Sequence, residues 1–414
     1  MPAKSADLAI IGCGVSGASA ALAAARQHLT VSIFEEHEQV GEPSHCSGHV
    51  GILAFKKFAP EIPARLIENE IKGAMLYPPN GKPFTLYRKE PVTWVLNRAE
   101  FDRHLARLAV KRGAALRLKS RVESFERSGG ELRLRVSGRN GGEFSCRMLI
   151  DASGCGASIS RYVGLARPGR SMLVNSAQFN MENLNDVDED FVEVYFGQSF
   201  APGFFGWIIP RRDGSAKVGI AAGGRANVRE CFHNFIHRHR IVSTKLKHAK
   251  ATTAPVYHPI PVGGTGRTYA NNVLVVGDAA SQVKPTTGGG IVFGLACGQI
   301  AGETAANAVH EGDVSASSLG SYEKAWRRLI GLDLTAMSWL RRLLYRLPDR
   351  QLDRIFRISA ELKADDILNR TADIDFQGRT LLSLARDPRL FITLLSASVL
   401  SVPSLVGTGT RKSR

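Results

Sequence analysis

Short apolar runs closed by glycines set the pattern of this chain. The first, Leu8-Ala-Ile-Ile11, has no polar interruption and predicts a buried parallel strand. It runs into Gly12-Cys-Gly14-Val-Ser-Gly17 and then into small residues, Ala18 to Ala25, that continue as a helix. Val31-Ser-Ile-Phe34 predicts a second strand. Lys72 to Tyr77 and Lys82 to Tyr87 flank Pro78-Pro-Asn-Gly81, the pattern of a hairpin with an Asn-Gly turn. Val92 to Leu96 reads as a further strand. Asn97 then opens a helix with Leu105, Leu108 and Ala109 on its apolar face. Ala115 to Leu118 predicts a strand, and Val122 to Glu126, Leu132 to Val136 and Phe144 to Ile150 a meander. The last of these runs into a second glycine-rich strand-to-helix turn, Asp151 to Arg161.

From Ser171 to Pro261 the pattern changes. Phe191 to Phe196, Phe204 to Ile209 and Ala216 to Ala221 predict an antiparallel sheet, with one helix near Val228 to Val242. Val273 to Val276 is again an apolar strand, followed by Gly277-Asp278-Ala-Ala. Gly288-Gly-Gly290-Ile291 then opens a helix through Ala306. Beyond Ser321 the chain reads as helical and basic. Leu390 to Thr410 is uncharged and just long enough to span a bilayer. Its serines, threonines, glycines and Pro403 weigh toward a packed or interfacial segment.

The first glycine triplet has the spacing and context of a dinucleotide fingerprint. Gly12 permits a tight turn, Gly14 lets the backbone approach a pyrophosphate, and Gly17 lets the helix pack close to the strand. Glu35, at the end of the second strand, would accept bonds from ribose hydroxyls. Glu36 beside it would repel a 2′-phosphate. Asp278 would bind a ribityl or pyrophosphate hydroxyl region. The turn Gly288, Gly289, Gly290 and Ile291 would aim N–H groups at an electron-rich ring edge, as on a reduced flavin. Arg98, at a helix entry, either holds a cofactor phosphate or is a solvated charge.

The loop Gly41 to Val50 carries Cys46, Ser47 and Gly48, and in a flavin fold it can reach the ring. Cys46 is then either a small packing residue or a group beside the flavin. His45, Cys46 and His49 lack a fourth ligand, so no metal is expected. Cys231, His233, His237 and His239 lie among cations and read as a basic helix face.

Composition adds three points. The chain has 414 residues, 44% of them hydrophobic, enough for two or three globular domains. Its six scattered cysteines read as free thiols of a reducing compartment, and no signal peptide is expected at the start. The formal charge of +16 points to an acidic partner or an anionic lipid surface. No nucleic-acid motif accompanies it, so no nucleic acid is expected.

The opening fingerprint, Cys46-Ser-Gly48, Asp151 to Arg161 and the stretch Gly277-Asp-Ala-Ala to Pro285-Thr-Thr-Gly-Gly-Gly290-Ile resemble the geranylgeranyl reductases. These are flavoproteins of the p-hydroxybenzoate hydroxylase-like superfamily. The match runs from about Leu8 to Ala306, and the Thr-Thr-Gly-Gly-Gly form resembles the archaeal-lipid branch. The family's Tyr-x-Trp-x-Phe-Pro substrate motif corresponds here to Phe205-Gly-Trp207-Ile-Ile209-Pro210. Trp207 and Pro210 agree, whereas Phe205 removes a phenol hydroxyl.

The resemblance implies an α/β fold: a Rossmann-type FAD-binding domain, an inserted antiparallel β-sheet substrate domain and a helical C-terminal region. The boundaries expected are 1–60, 95–170 and 262–320 for the FAD domain, 61–94 and 171–261 for the substrate domain, and 321–414 for the helical region. The activity implied is FAD-dependent saturation of isoprenoid double bonds in a membrane ether-lipid precursor. Its substrate-binding residues would be Phe205, Trp207 and Pro210, with Cys46 and Trp207 catalytic. An external donor, NAD(P)H or a ferredoxin, would supply electrons. The protein would be cytoplasmic and peripherally membrane-associated. The competing readings are a flavin monooxygenase or halogenase on the same fold, a geranylgeranyl reductase acting on chlorophyll- or quinone-type substrates, and a non-enzymatic lipid or redox-partner binder that retains FAD.

Overall fold

The computed structural model of the chain describes residues 4–378, apart from 157–158, 160–161, 163, 166–168, 170–171, 264–265 and 372–374. Among these residues the strands form three sheets. The first runs Tyr269–Ala270 (β18), Val273–Val275 (β19), Gly142–Asp151 (β11), Ser5–Ile11 (β1), Val31–Phe34 (β2) and Ala115–Arg117 (β8). From β19 to β8 every pair is parallel. Ser120–Ser128 (β9) and Glu131–Gly138 (β10) extend β11 as an antiparallel meander. This is the Rossmann-type sheet, and the uninterrupted apolar run Leu8–Ile11 is buried at its centre.

Helices Val15–Arg26 (α1), Arg98–Lys111 (α3) and Ile291–Glu311 (α6) cover one face of it. Asn97 caps α3 by accepting the Glu100 N–H at 3.1 Å. The α1–α6 contact is unusually close because Gly294, Gly298 and Gly302 form a stripe at i, i+4, i+8. A Cβ at Gly298 or Gly302 would lie 2.4 or 2.2 Å from the carbonyl oxygens of Ser16 and Ala20. α6 outruns the expected end at Ala306 and stops where Gly312 adopts φ +73°.

The second sheet runs Lys250–Ala251 (β16), Leu173–Glu182 (β12), Ala216–Gly223 (β15), Gly206–Pro210 (β14), Phe191–Tyr195 (β13), Gly73–Tyr77 (β5) and Phe84–Tyr87 (β6), with Val256–Pro261 (β17) also on β12. It is antiparallel except where β5 meets β13 in parallel. More than a hundred residues of crossover separate those two strands, which is what a parallel pair needs. The third sheet joins His49–Gly51 (β3), Thr93–Leu96 (β7) and Ile67–Ile71 (β4). The stretch 61–94 is therefore divided. Its hairpin joins the substrate sheet, while β4 pairs with β7, whose other edge pairs with β3 at the end of the Cys46 loop, next to Ile52–Phe58 (α2).

After Asp151 the chain makes a short 3-10 turn, Gly154–Gly156, and just before it the Asp151 carboxylate accepts bonds from Ser153 N and Oγ. The helix expected beyond this turn falls mostly outside the described residues. One other expectation changes. The single helix near Val228 to Val242 is broken into Val228–His233 (α4), a π turn at Asn234–Arg238 and Arg240–Lys245 (α5). His239 restarts the helix by accepting the Val242 N–H at 3.3 Å. His233, His237 and Arg238 are exposed, but Cys231 is buried in the sheet's apolar core, so the basic face is only part of this segment. Among the described residues no group of three metal-ligating side chains occurs.

Ala316–Trp326 (α7), Leu332–Leu344 (α8), Asp349–Glu361 (α9) and Ala364–Thr371 (α10) form the helical C-terminal region. Residues 375–378 then return to the first domain. Leu390 to Thr410 lies outside the described residues. Among the described residues no helix is long and apolar enough to cross a membrane.

Candidate active site

One cavity of about 1420 Å³ extends from the first glycine turn to the far edge of the substrate sheet. At its nucleotide end the three glycines act separately. Gly12 takes φ +89°, and a Cβ there would lie 2.5 Å from the Ala152 carbonyl oxygen. A Cβ at Gly17 would lie 2.0 Å from the Gly12 carbonyl oxygen, so Gly17 serves helix packing and does not line the cavity. Gly14 lines the cavity, and a Cβ there would meet nothing within 4 Å of protein. α1 has no side-chain cap, so its first-turn N–H groups open onto this space.

Glu35 is buried and already engaged. Its Oε2 accepts the Cys13 N–H at 2.9 Å, and its Oε1 accepts the His37 N–H at 3.0 Å. These bonds fix the carboxylate at the rim and leave lone pairs for a ribose. Glu36 lines the same rim but is paired with Arg121 at 3.1 Å, which offsets the repulsion expected of it.

In the middle of the cavity lie Cys46, Ser47, Arg98, Asp278 and the turn Gly288, Gly289, Gly290, Ile291. α6, like α1, has no side-chain cap at its start. Arg98 is not a solvated charge: its guanidinium holds the buried Asp102 carboxylate with bonds of 3.0 and 2.9 Å. Burial penalises the Arg98 charge, but the Asp102 carboxylate outweighs that and keeps it protonated. Burial pushes the Asp278 carboxyl up, against a smaller opposing pull from Arg98. The Cys46 sulfur accepts the Gly48 N–H at 3.4 Å. Gly48 itself faces away from the cavity, since a Cβ there would lie 2.1 Å from the Leu96 carbonyl oxygen.

At the substrate end Trp207 is half-buried, and its Nε1 donates to Gln178 Oε1 at 3.0 Å. Phe205 stands edge-on to the indole with centroids 6.0 Å apart. Val192, Val194, Ile209 and Ile260 complete the apolar wall. Pro210 lies outside it. Pro210 ends β14, and its carbonyl accepts a bond from Asn69 at 3.1 Å, so its place in the motif is structural. His45 of the loop stacks on His258 of β17 at 3.6 Å, and both rings line the cavity where the loop meets the second sheet. Burial holds both imidazoles neutral, at about 3 for His45 and about 4 for His258. His49 is likewise pulled to about 3, by burial and then by Lys284 and Lys217.

Gln178, Lys217, Gly219 and His258 were not singled out by sequence reasoning. Only Gly219 carried a signal, as a glycine inside a strand. A Cβ there would lie 2.5 Å from the Trp207 ring, so Gly219 makes room for the indole.

The cavity fits FAD. Two uncapped helix N-termini face it, Gly14 leaves open the volume a side chain would fill, and a fixed carboxylate stands at the ribose position. The family model for the geranylgeranyl reductase catalytic domain matches residues 173–255. The digeranylgeranylglycerophospholipid reductase of Methanocaldococcus jannaschii is 31% identical over 84% of this chain and 89% of its own. The crystal structure of a geranylgeranyl bacteriochlorophyll reductase-like protein from Thermoplasma acidophilum superposes with a TM-score of 0.84 at 26% identity, covering 95% of this chain and 99% of that one. A mutant of the halogenase PltM in complex with FAD, at 15% identity and a TM-score of 0.69 over 95% of this chain and 91% of that one, shares the fold alone. The likeness to the halogenase is one of fold, whereas on its sequence this chain belongs to the FAD-dependent geranylgeranyl reductase family.

Proposed function

We propose that this chain saturates the geranylgeranyl double bonds of a membrane ether-lipid precursor. The observation that carries the reading is the continuity of the cavity. It leads from the Gly14 cradle past Cys46 to an apolar wall and on to Leu53, Tyr87 and Arg88. Leu53 is 84% exposed, so this end is open to the surroundings. A polyprenyl chain needs a long apolar channel of this kind, entered from outside.

When bound and reduced by an external donor, FAD would supply the hydride. An isolated alkene accepts hydride poorly, so its other carbon must be protonated and positive charge builds there. The Trp207 indole faces that region and stabilises a cation by roughly 0.5–2 kcal/mol. Its bond to Gln178 fixes the ring's orientation. Cys46 Sγ delivers the proton, since Phe205 has no hydroxyl to give. Asp278 and Gly288 to Ile291 would hold the ring end of the cofactor, while Gly14, Glu35 and Arg98 would hold or flank its nucleotide end. The stacked His45 and His258 exclude water between the sheets.

The donor is NAD(P)H or a ferredoxin, and a net charge of +16 steers an acidic ferredoxin. The same charge holds the protein peripherally at an anionic membrane surface, on the cytoplasmic side. Salt should release it from membranes, because such attraction is screened beyond a Debye length of ~8 Å. Retention until detergent is added would count against peripheral binding. The test of function is mass spectrometry of ether lipids from cells expressing the protein. Products gaining one H2 per double bond are expected. Oxygen consumption on lipid addition, with no saturation, would point to a monooxygenase instead.

A further inference from the structure

We infer that Lys217 is a positioning residue that sets the Cys46 loop relative to Trp207. Lys217 lies on β15, two residues before Gly219, the glycine that seats the indole. Its backbone is in register with Ile209 of the strand that carries Trp207. The ammonium leaves this sheet and reaches the loop. It donates to the Ser47 carbonyl at 2.8 Å and the Leu96 carbonyl at 3.0 Å, and pairs with Glu68 at 2.6 Å. Two of the ammonium's N–H groups go to these carbonyls, and the Glu68 carboxylate stands beside it as an ion-pair partner.

The two carbonyls belong to facing segments, because Leu96 N–H also donates to the Gly48 carbonyl at 2.9 Å. The ammonium therefore pins the loop onto β7, one residue from Cys46. Its side chain is only 7% exposed; burial pushes the ammonium's pKa down, and Glu68 opposes that in part. Glu68 is itself flanked by Arg211 at 3.8 Å. One side chain thus spans the two walls of the reacting space. Without it the loop retains its ladder on β7 but loses its tie to the substrate sheet. The consequence for turnover rests on the proposed role of Cys46, whereas the placement of the loop does not.

The test uses the FAD-loaded, full-length protein with the substitutions Lys217→Met and Lys217→Arg. Iodoacetamide labelling is followed by peptide mass spectrometry, and Cys46 is compared with Cys155 in the same chain. Of the six cysteines these two alone are not buried, so Cys155 reports any general loosening. Lys217→Met should change the Cys46-to-Cys155 rate ratio by at least about tenfold. Lys217→Arg keeps a cation for Glu68 and moves the donors. It should shift the ratio by about threefold or more in a folded protein, and it decides the matter if the Met variant does not fold. In turnover, Lys217→Met should lower kcat ~10–100-fold while KM stays within about threefold. A ratio unchanged in the folded variants, or one in which both cysteines accelerate together, overturns the inference. A shifted ratio with unchanged kcat supports the role of Lys217 and counts against Cys46 as the proton donor.

Discussion

The two ends of the cavity are built by opposite means. At the nucleotide end the backbone does the work: Gly12 turns, Gly17 yields to the Gly12 carbonyl, and Gly14 stays open. At the substrate end side chains do it, through Trp207 on Gln178, His45 on His258, and Lys217 on the loop. A backbone site is determined by a few neighbouring residues. A side-chain site depends on partners brought together across the whole fold. The first should fail all at once when a single Cβ is added, and the second should fail by degrees.

The largest effect expected is at the glycines, and it separates binding from folding. Gly14→Val adds atoms only to the open cradle. The apoprotein should keep its melting temperature, while the protein binds FAD at least about a hundredfold more weakly, ~2.7 kcal/mol. Gly17→Ala drives a Cβ into backbone and should lower the melting temperature outright. A Gly14→Val protein that keeps stoichiometric yellow cofactor would remove this turn from the site.

Next comes Cys46→Ala. Flavin content and reduction of the flavin by donor should be normal, while double-bond reduction falls ~10²–10⁴-fold, the usual worth of a general acid. Stopped-flow absorbance separates the two half-reactions, and full turnover by this variant would leave Cys46 as packing alone. A smaller loss, ~3–30-fold in kcat, is expected for Trp207→Leu from the cation–indole term. Gly219→Ala should act in the same direction by pushing the ring into the channel, which lipid turnover assays would show as a raised KM.

The smallest effect concerns pH. His45, His49 and His258 are held neutral in the fold, near 3 to 4. The unfolded chain takes up protons below the ordinary histidine value of ~6.5, so the fold's advantage is complete above that value and is lost as pH falls toward 4. Asp102 and Asp278, whose carboxyls burial pushes up, act in the opposite sense nearer the carboxylate range. Urea midpoints at pH 7 and pH 5 should therefore differ, and His49→Gln should narrow the gap. An equal gap in that variant would show that His49 does not contribute.

What could be read from the sequence follows the same division. The strand Val31–Phe34, the glycine triplet, Glu35 and the Asn97 cap are local patterns, and each recurs in the structure where the pattern put it. β12, the strand that holds Gln178, was not anticipated, although it sits inside the sheet. The parallel pairing of β5 with β13 could not be read either, because nothing near Gly73 announces a partner more than a hundred residues away. Lys217 looks like any lysine in a strand until Ser47 and Leu96 are brought to its tip. Pro210 is the reverse case: it fits a motif yet stands outside the cavity.

The stretch 375–378 carries a consequence for how the protein is made. Asp375 pairs with the buried Lys284 at 2.7 Å and also accepts the Gly51 N–H at 2.9 Å. Gly378 N–H bonds Asp333 at 2.7 Å. The wall around the turn Gly288 to Gly290 is thus fastened by residues that leave the ribosome after every element of both large sheets. A chain stopped short of Asp375 should form those sheets yet lack these bonds, and it is expected to retain flavin less well on desalting than the full chain.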